Sequence, residues 1–217
     1  MDRSRPIHDV GHSRVVPASI PRTGAFHELN VRTYVHYQGV PGVWFFSLDA
    51  ASRLAVWGAR KFYHLPYFNA EMDLRQDGNT IEYSSERRDA LTYGEFFRAE
   101  RAGFPADLDV HRFRDGGRAE LKVNWAIGEP LPLSEPDSLA FLSERYCLYS
   151  LRRGQIYRSQ IFHEPWPLRN ATLSSAHSKR ALSSTMIESL GLPKLSGDPV
   201  LQYAESIAVD IWPLKRA

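Results

Sequence analysis

The chain has 217 residues, 43% of them hydrophobic and 24% charged, which is ordinary composition for a globular protein with a packed core. Twenty-seven basic against 25 acidic residues leave a formal net charge of +2, so no global field is available to hold nucleic acid or another polyanion. A single cysteine, Cys147, excludes an internal disulfide and a cysteine-based zinc site, and no stretch approaches the roughly 20 apolar residues of a membrane span. With no apolar segment after Met1, the expectation is a soluble cytoplasmic protein.

Residues 1–27 are polar, punctuated by Pro6, Pro17, Pro21 and Gly24, and are expected to form an irregular arm ahead of one domain over 28–217. From Leu29 the pattern changes. Val31, Thr33, Val35 and Tyr37 alternate with Arg32, Tyr34 and His36, which predicts a strand. A turn at residues 38–42 leads into Val43, Trp44, Phe45 and Phe46, an apolar run predicted to be a strand buried on both sides. Asp49 or Ser47 can cap a following helix. Ala51, Ala55, Gly58 and Phe62 share its apolar face, Leu54 and Trp57 widen that face, and Pro66 ends it near His64. Arg60 and Lys61 are then solvated, and the basic-aromatic run at 60–64 is read as a helix with a wet side and not as a nucleic-acid site.

The chain leaves the proline as a strand, turns at Asp77-Gly78 and returns through residues 80–84. Gly116-Gly117 marks a turn before a strand at 119–127, and Ser134 starts a short helix to about Glu144. Residues 146–151 and 155–163 form a hairpin about Arg153-Gly154, and Ile207, Val209 and Ile211 a last strand. Strands dominate, in hairpin order. The fold class expected is mainly β (α+β), antiparallel, with a few peripheral helices.

The histidines show no metal-ligand spacing. His27-Glu28 and His163-Glu164 are adjacent pairs whose side chains point to opposite sides of a strand, so no metal and no cofactor is expected. Cys147, among aromatic and apolar neighbours, is read as a buried inert thiol. The helix-proline-strand junction is the sharpest feature. It places Tyr67, Asn69 and Glu71 on one strand face and Phe68, Ala70 and Met72 on the other. A phenol, an amide and a carboxylate on one face could line a pocket if the sheet curls.

Six segments are familiar together: ELNVRTYV (28–35), PGVWFFSLDA (41–50), ARKFYHLPY (59–67), ERYCLY (144–149), HEPWPL (163–168) and WPL (212–214). In this order and spacing they resemble the YqjF-like bacterial family of unknown function, which resembles the acetoacetate decarboxylases more remotely. The resemblance implies an antiparallel β cone or barrel enclosing a small-molecule cavity. It also implies where the decarboxylase lysines would stand, directly after the proline. A lysine there forms a Schiff base, and a second lowers its pKa. Tyr67 and Phe68 occupy those positions, and neither can form an imine. The family's N-terminal strands, with an arginine and a glutamate, are expected to be missing, with only the polar arm in their place. A second glutamate, expected in the loop before Leu29, has no match between Ser13 and Phe26.

The resulting expectation is a protein that binds a small carbonyl or carboxylate compound at a pocket of Tyr67, Asn69, Glu71, Arg32 and His64. The alternative is a cofactor-independent lyase or hydrolase acting on a small keto acid, with Tyr67 or His64 as acid or base and Lys61 or Lys122 as a displaced amine. A third expectation is a homo-oligomer paired through sheet edges, which an incomplete cone would expose. Nucleic acid and membrane are not expected partners.

Overall fold

The computed structural model describes residues 26–88, 120–131, 145–174, 200–205 and 209–217. The predicted arm at 1–25, the turn at Gly116-Gly117 and the helix from Ser134 to Glu144 lie outside the described residues, as does Ile207.

The described strands are β1 Glu28–Tyr37, β2 Val40–Ala50, β3 Tyr67–Asp77, β4 Thr80–Arg87, β5 Glu120–Pro130, β6 Cys147–Arg152, β7 Gln155–Phe162, β8 Arg169–Leu173, β9 Gln202–Tyr203, β10 Asp210–Ile211 and β11 Lys215–Arg216. One helix, α1 Arg53–Gly58, continues into a π-helical turn, Ala59–Tyr63. The chain is therefore mainly β, as its alternating runs and aromatic content imply.

Hairpin turns set the registers. Gln38-Gly39 and Arg153-Gly154 have positive φ at both central residues, 50° and 78° in the first and 49° and 75° in the second. This backbone matches the twist of the strands it joins. The β3–β4 hairpin forms as predicted, but Asp77 pairs with Thr80, so its tip is Gly78-Asn79. Only Gly78 there has positive φ, at 56°.

β2 organises the sheet. Along one edge it pairs with the whole of β1, antiparallel. Its other edge is shared between two parallel neighbours: Val43 and Trp44 pair with β6, and Leu48–Ala50 pair with β3. On that edge no described strand pairs with the stretch between them. The sheet therefore forks at β2 into a β3-β4-β5-β8-β9 wing and a wing of β6 and β7 carrying β10 and β11. Among the described residues the path is forked and open, not closed on itself as a barrel.

A bulge sharpens the fork. Val31 faces Ser47 while Arg32 faces Phe45, leaving Phe46 as the extra residue of β2. The extra residue flips the alternation. Phe46 joins one core, around Leu29, Val31, Tyr83, Leu121 and Val123. Phe45 and Leu48 join the other, with Val43, Val56, Tyr63, Leu65, Tyr67 and Leu148. The predicted doubly buried run is thus one buried residue, Val43, followed by three half-buried rings.

Gly42 is required where β2 meets β6. A Cβ there would stand 2.6 Å from the Tyr149 ring and 2.8 Å from the Cys147 carbonyl oxygen. Backbone cannot retreat cheaply from that contact. Gly42→Ala should lower stability by about 2–3 kcal/mol, the cost of overpacking, and chemical denaturation measures it.

The helix departs from its predicted form. Ser52 is the N-cap, its hydroxyl oxygen accepting from the Ala55 amide at 3.3 Å, whereas Ser47 and Asp49 lie within β2, fully buried. The buried side is Ala55, Val56, Gly58, Ala59 and Tyr63, while Leu54, Trp57 and Phe62 are exposed. The wider winding of the π turn brings Tyr63 rather than Phe62 onto the face of Ala59, whereas Leu54 and Trp57 are already exposed in the α-helix before it. Arg60, expected in solvent, is buried. Its Nε donates to the Tyr67 carbonyl at 2.7 Å, and its guanidinium lies 5.6 Å from the Phe68 ring centre. Lys61 does remain exposed, with Nζ 4.6 Å from the Trp57 ring centre. No helix among the described residues is long and apolar enough to cross a membrane.

Candidate functional site

The fork leaves a cavity of about 70 Å³. Its walls are mostly apolar: Val43, Phe45 and Leu48 of β2, Leu65, Leu148 of β6, Ile161 of β7, Val209 and Ile211. Into this surface project Glu28 and Arg32 of β1, Tyr67 of β3, Arg145 just before β6, and His163 and Trp166 after β7. Glu28 and Arg32 reach the same space because an even spacing along a strand keeps side chains on one face. Leu29 and Val31, on the opposite face, pack in the other core.

Glu28 and Tyr67 form the centre. Tyr67 Oη donates to Glu28 Oε2 at 2.6 Å, with both residues buried. Asn30 Nδ2 lies 3.4 Å from Glu28 Oε1, and Tyr83 Oη donates to the Glu28 carbonyl at 3.2 Å. Burial raises the Glu28 carboxyl to about 7. The hydrogen bonds from Tyr67 and Asn30 and the charge of Arg32 oppose the rise, and the like charge of Asp49 adds to it. Burial and the adjoining Glu28 push the Tyr67 phenol well above its ordinary value, so it stays a neutral donor. A buried carboxyl that titrates near neutrality is therefore tethered to a phenol at the wall of an apolar cavity.

His163 sits at the edge of this site. It stacks on Tyr146 with ring centres 4.9 Å apart and meets Trp166 edge-on at 5.8 Å. Its Nδ1 is 2.9 Å from the Glu164 carbonyl oxygen, which can only accept, so Nδ1 is the donor.

Of the five residues predicted for the pocket, the structure brings Tyr67 and Arg32 together at the cavity. Asn69 is half-buried and does not line it; its carbonyl accepts from the Arg88 amide at 2.7 Å. Glu71 is exposed, hydrogen-bonded to Arg88, which holds its carboxyl below the ordinary range. The predicted shared face fails because β3 leaves the shelter of β2 after Asn69, where their pairing ends. His64 lies in the left-handed region at φ 52°, beside Tyr157 and outside the cavity lining. Burial, reinforced by the charge of Arg152, lowers its imidazole to about 4.

The residues passed over are Glu28, Arg145, His163 and Trp166. Three signals bore on them. All four lie in the segments that carry the family resemblance. Glu28 lies two residues beyond Phe26, outside the interval 13–26 in which a loop glutamate has no match. Neighbours in the pairs His27-Glu28 and His163-Glu164 point apart, yet the fold takes one member of each pair into one cavity. Among the described residues no cluster of three or more ligating side chains could hold a metal ion. Cys147 is buried, and burial raises its thiol, which suits a packing role.

The fold of this mainly β chain is similar to that of an acetoacetate decarboxylase. An acetoacetate decarboxylase structure from Legionella pneumophila aligns at a TM-score of 0.50 with 14% identity, covering 89% of this chain and 67% of that one. A second acetoacetate decarboxylase structure aligns at 0.49 with 14% identity, covering 89% and 69%. The chain belongs to the DUF2071 family, described as an uncharacterized conserved protein, which it matches over residues 8–208. It is 38% identical over 205 residues to the uncharacterized protein YqjF of Bacillus subtilis (strain 168), covering 94% of this chain and 71% of that protein.

Proposed function

We propose that the cavity at the fork binds a small carbonyl or carboxylate compound without forming a covalent bond to it. The observation that carries this reading is the buried Glu28–Tyr67 pair at 2.6 Å on the wall of an otherwise apolar cavity. Polar groups are costly to bury, and a few convergent ones in an apolar hollow are what orients a ligand. A water needs roughly 10–15 Å³ on the same measure, so about 70 Å³ suits a ligand of a few heavy atoms. In its protonated form Glu28 can donate to a ligand oxygen, and the guanidiniums of Arg32 and Arg145 can face a carboxylate. Among the described residues no lysine lines the cavity. Lys61 and Lys122 are exposed, which argues against the imine route for either.

The test is a thermal melt with a panel of small carboxylates, keto acids and lactones, on the parent chain and on Tyr67→Phe. One chemical class should raise the parent's midpoint, because a ligand that binds only the native state stabilises it. Tyr67→Phe keeps the ring in the core but unties Glu28, and should weaken that ligand by about three- to tenfold. Unchanged affinity in the variant would remove the pair from the site.

A second reading, a cofactor-independent lyase or hydrolase for a small keto acid, is favoured by one observation. A carboxyl at about 7 is matched to proton transfer at neutral pH. Glu28, rather than His64, is then the acid or base. Turnover whose rate steps near pH 7 and disappears in Glu28→Gln would support it.

A further inference from the structure

Resting on the ligand-binding reading above, we infer that His163 is a second proton-transfer group of the cavity, and that Glu28 and His163 together enolise a small ketone or keto acid. Glu28 gives a proton to the carbonyl oxygen, and His163 takes one from the neighbouring carbon. The two residues come from distant parts of the chain, Glu28 from the start of β1 and His163 from the position just after β7, and both line the same cavity. Both are buried.

His163 is held in a fixed position. Its ring stacks on Tyr146, meets Trp166 edge-on, and is tied by Nδ1 to the Glu164 carbonyl oxygen at 2.9 Å. That carbonyl keeps a proton on Nδ1, so Nε2 is the nitrogen that gains and loses one. A phenyl ring would fill the same stack; a nitrogen ordered by a backbone carbonyl serves hydrogen bonding and proton exchange. Glu28 is the complementary group. Burial keeps its proton in place up to about 7, and the Tyr67 hydroxyl, 2.6 Å from Oε2, stabilises the carboxylate left when that proton moves.

In the step, the Nε2 lone pair takes a proton from the carbon beside the carbonyl. The C–H electron pair becomes a C=C bond, the carbonyl π pair moves onto oxygen, and that oxygen takes the Glu28 proton. Enol, Glu28 carboxylate and His163 imidazolium result, and the step balances without a further reactant. Reversal restores the ketone. Where the Nε2 proton has first exchanged with solvent, the ketone returns carrying a solvent hydron at that carbon. A cavity of about 70 Å³ restricts the substrate to a few heavy atoms.

The probes are acetone and pyruvate in deuterium oxide at neutral pD. Proton NMR follows loss of the methyl signal, and saturation transfer from the protein reports binding separately. The parent chain should exchange the methyl protons of at least one probe faster than buffer does. Glu28→Gln, His163→Asn and His163→Phe should each lower that rate by about 100-fold or more while the probe still binds, the usual cost of losing a positioned acid or base. Asparagine keeps an N–H for the Glu164 carbonyl and phenylalanine keeps the stack on Tyr146, so where one fails to fold the other decides. Undiminished exchange in a folded His163 variant would overturn the role of His163. Binding of a probe with exchange only at the buffer rate would overturn the enolisation while leaving the ligand-binding pocket standing. Binding of neither probe would overturn both.

Discussion

Replacing Glu28 with glutamine should stabilise the chain at pH 8 by about 3 kcal/mol, an unusual gain from losing a buried, hydrogen-bonded residue. The carboxyl ordinarily titrates at 4.5 and in the folded chain at about 7. The folded state thus favours the protonated form. Below pH 4.5 both states hold the proton and Glu28 imposes no penalty. As pH rises from 4.5 to 7 the unfolded chain releases its proton while the folded chain keeps it, and stability falls. Above about 7 both are ionised and the loss is complete. The gap between 4.5 and 7 corresponds to about 3 kcal/mol. Glutamine mimics the neutral acid and cannot titrate. Its carbonyl can accept from Tyr67, and its amide can donate to Asn30 Oδ1, a buried oxygen without a hydrogen-bond partner among the described residues. Denaturation of both proteins across pH 4–9 checks this. The parent should lose stability toward neutrality from this group, and the variant should lack that slope.

Asp49→Ala should have the opposite sign and a larger size, a loss of about 3–5 kcal/mol. Asp49 Oδ1 accepts from Arg87 Nε at 2.9 Å and forms an ion pair with Nη2, 2.6 Å away, with the aspartate side chain 0% and the arginine side chain 4% exposed. The Arg87 guanidinium also lies 4.0 Å from the Phe68 ring centre, which Arg60 approaches at 5.6 Å. Truncating Asp49 strands a buried cation that cannot reach water. The pair ties β4 to β2, whose Val43, Phe45 and Leu48 line the cavity, so the variant should also lose ligand binding through loss of fold. Urea denaturation gives the stability change, and Arg87→Met with Asp49→Leu should recover much of it by removing both charges together.

β1 to β7 were legible because local pattern alone specifies them, whereas β8, β9 and β11 were not expected. Alternation in β1, β3 and β4, and the turn pairs at residues 38–39 and 153–154, need no knowledge of distant chain. The helix was legible as an element but not in its phase, because one π turn rotates every residue after Gly58 and nothing in the apolar spacing announces it. Tyr67 and Arg32 could be picked out by their segments. Glu28, Arg145 and His163 lie in such segments too, but what gathers them is the forked pairing of β2 with β6 and β3, a long-range choice. The bulge at Phe46 compounds this, since one extra residue sends Phe45 and Leu48 to the cavity and breaks the alternation a reader would follow. Glu71 looked like a partner of Tyr67 by parity, yet β3 is sheltered only where it pairs with β2.

The pH-dependent pair and the arginine-flanked cavity make one claim: Glu28 is a near-neutral carboxyl within a ligand site. The most direct test follows the glutamate side-chain carboxyl carbons by NMR through a pH titration, with and without whichever small carboxylate raises the melting midpoint. One signal, absent in Glu28→Gln, should titrate near pH 7 and move when the carboxylate is added. If every glutamate titrates in the ordinary range and none responds to the added compound, Glu28 is neither held neutral by burial nor part of a binding site.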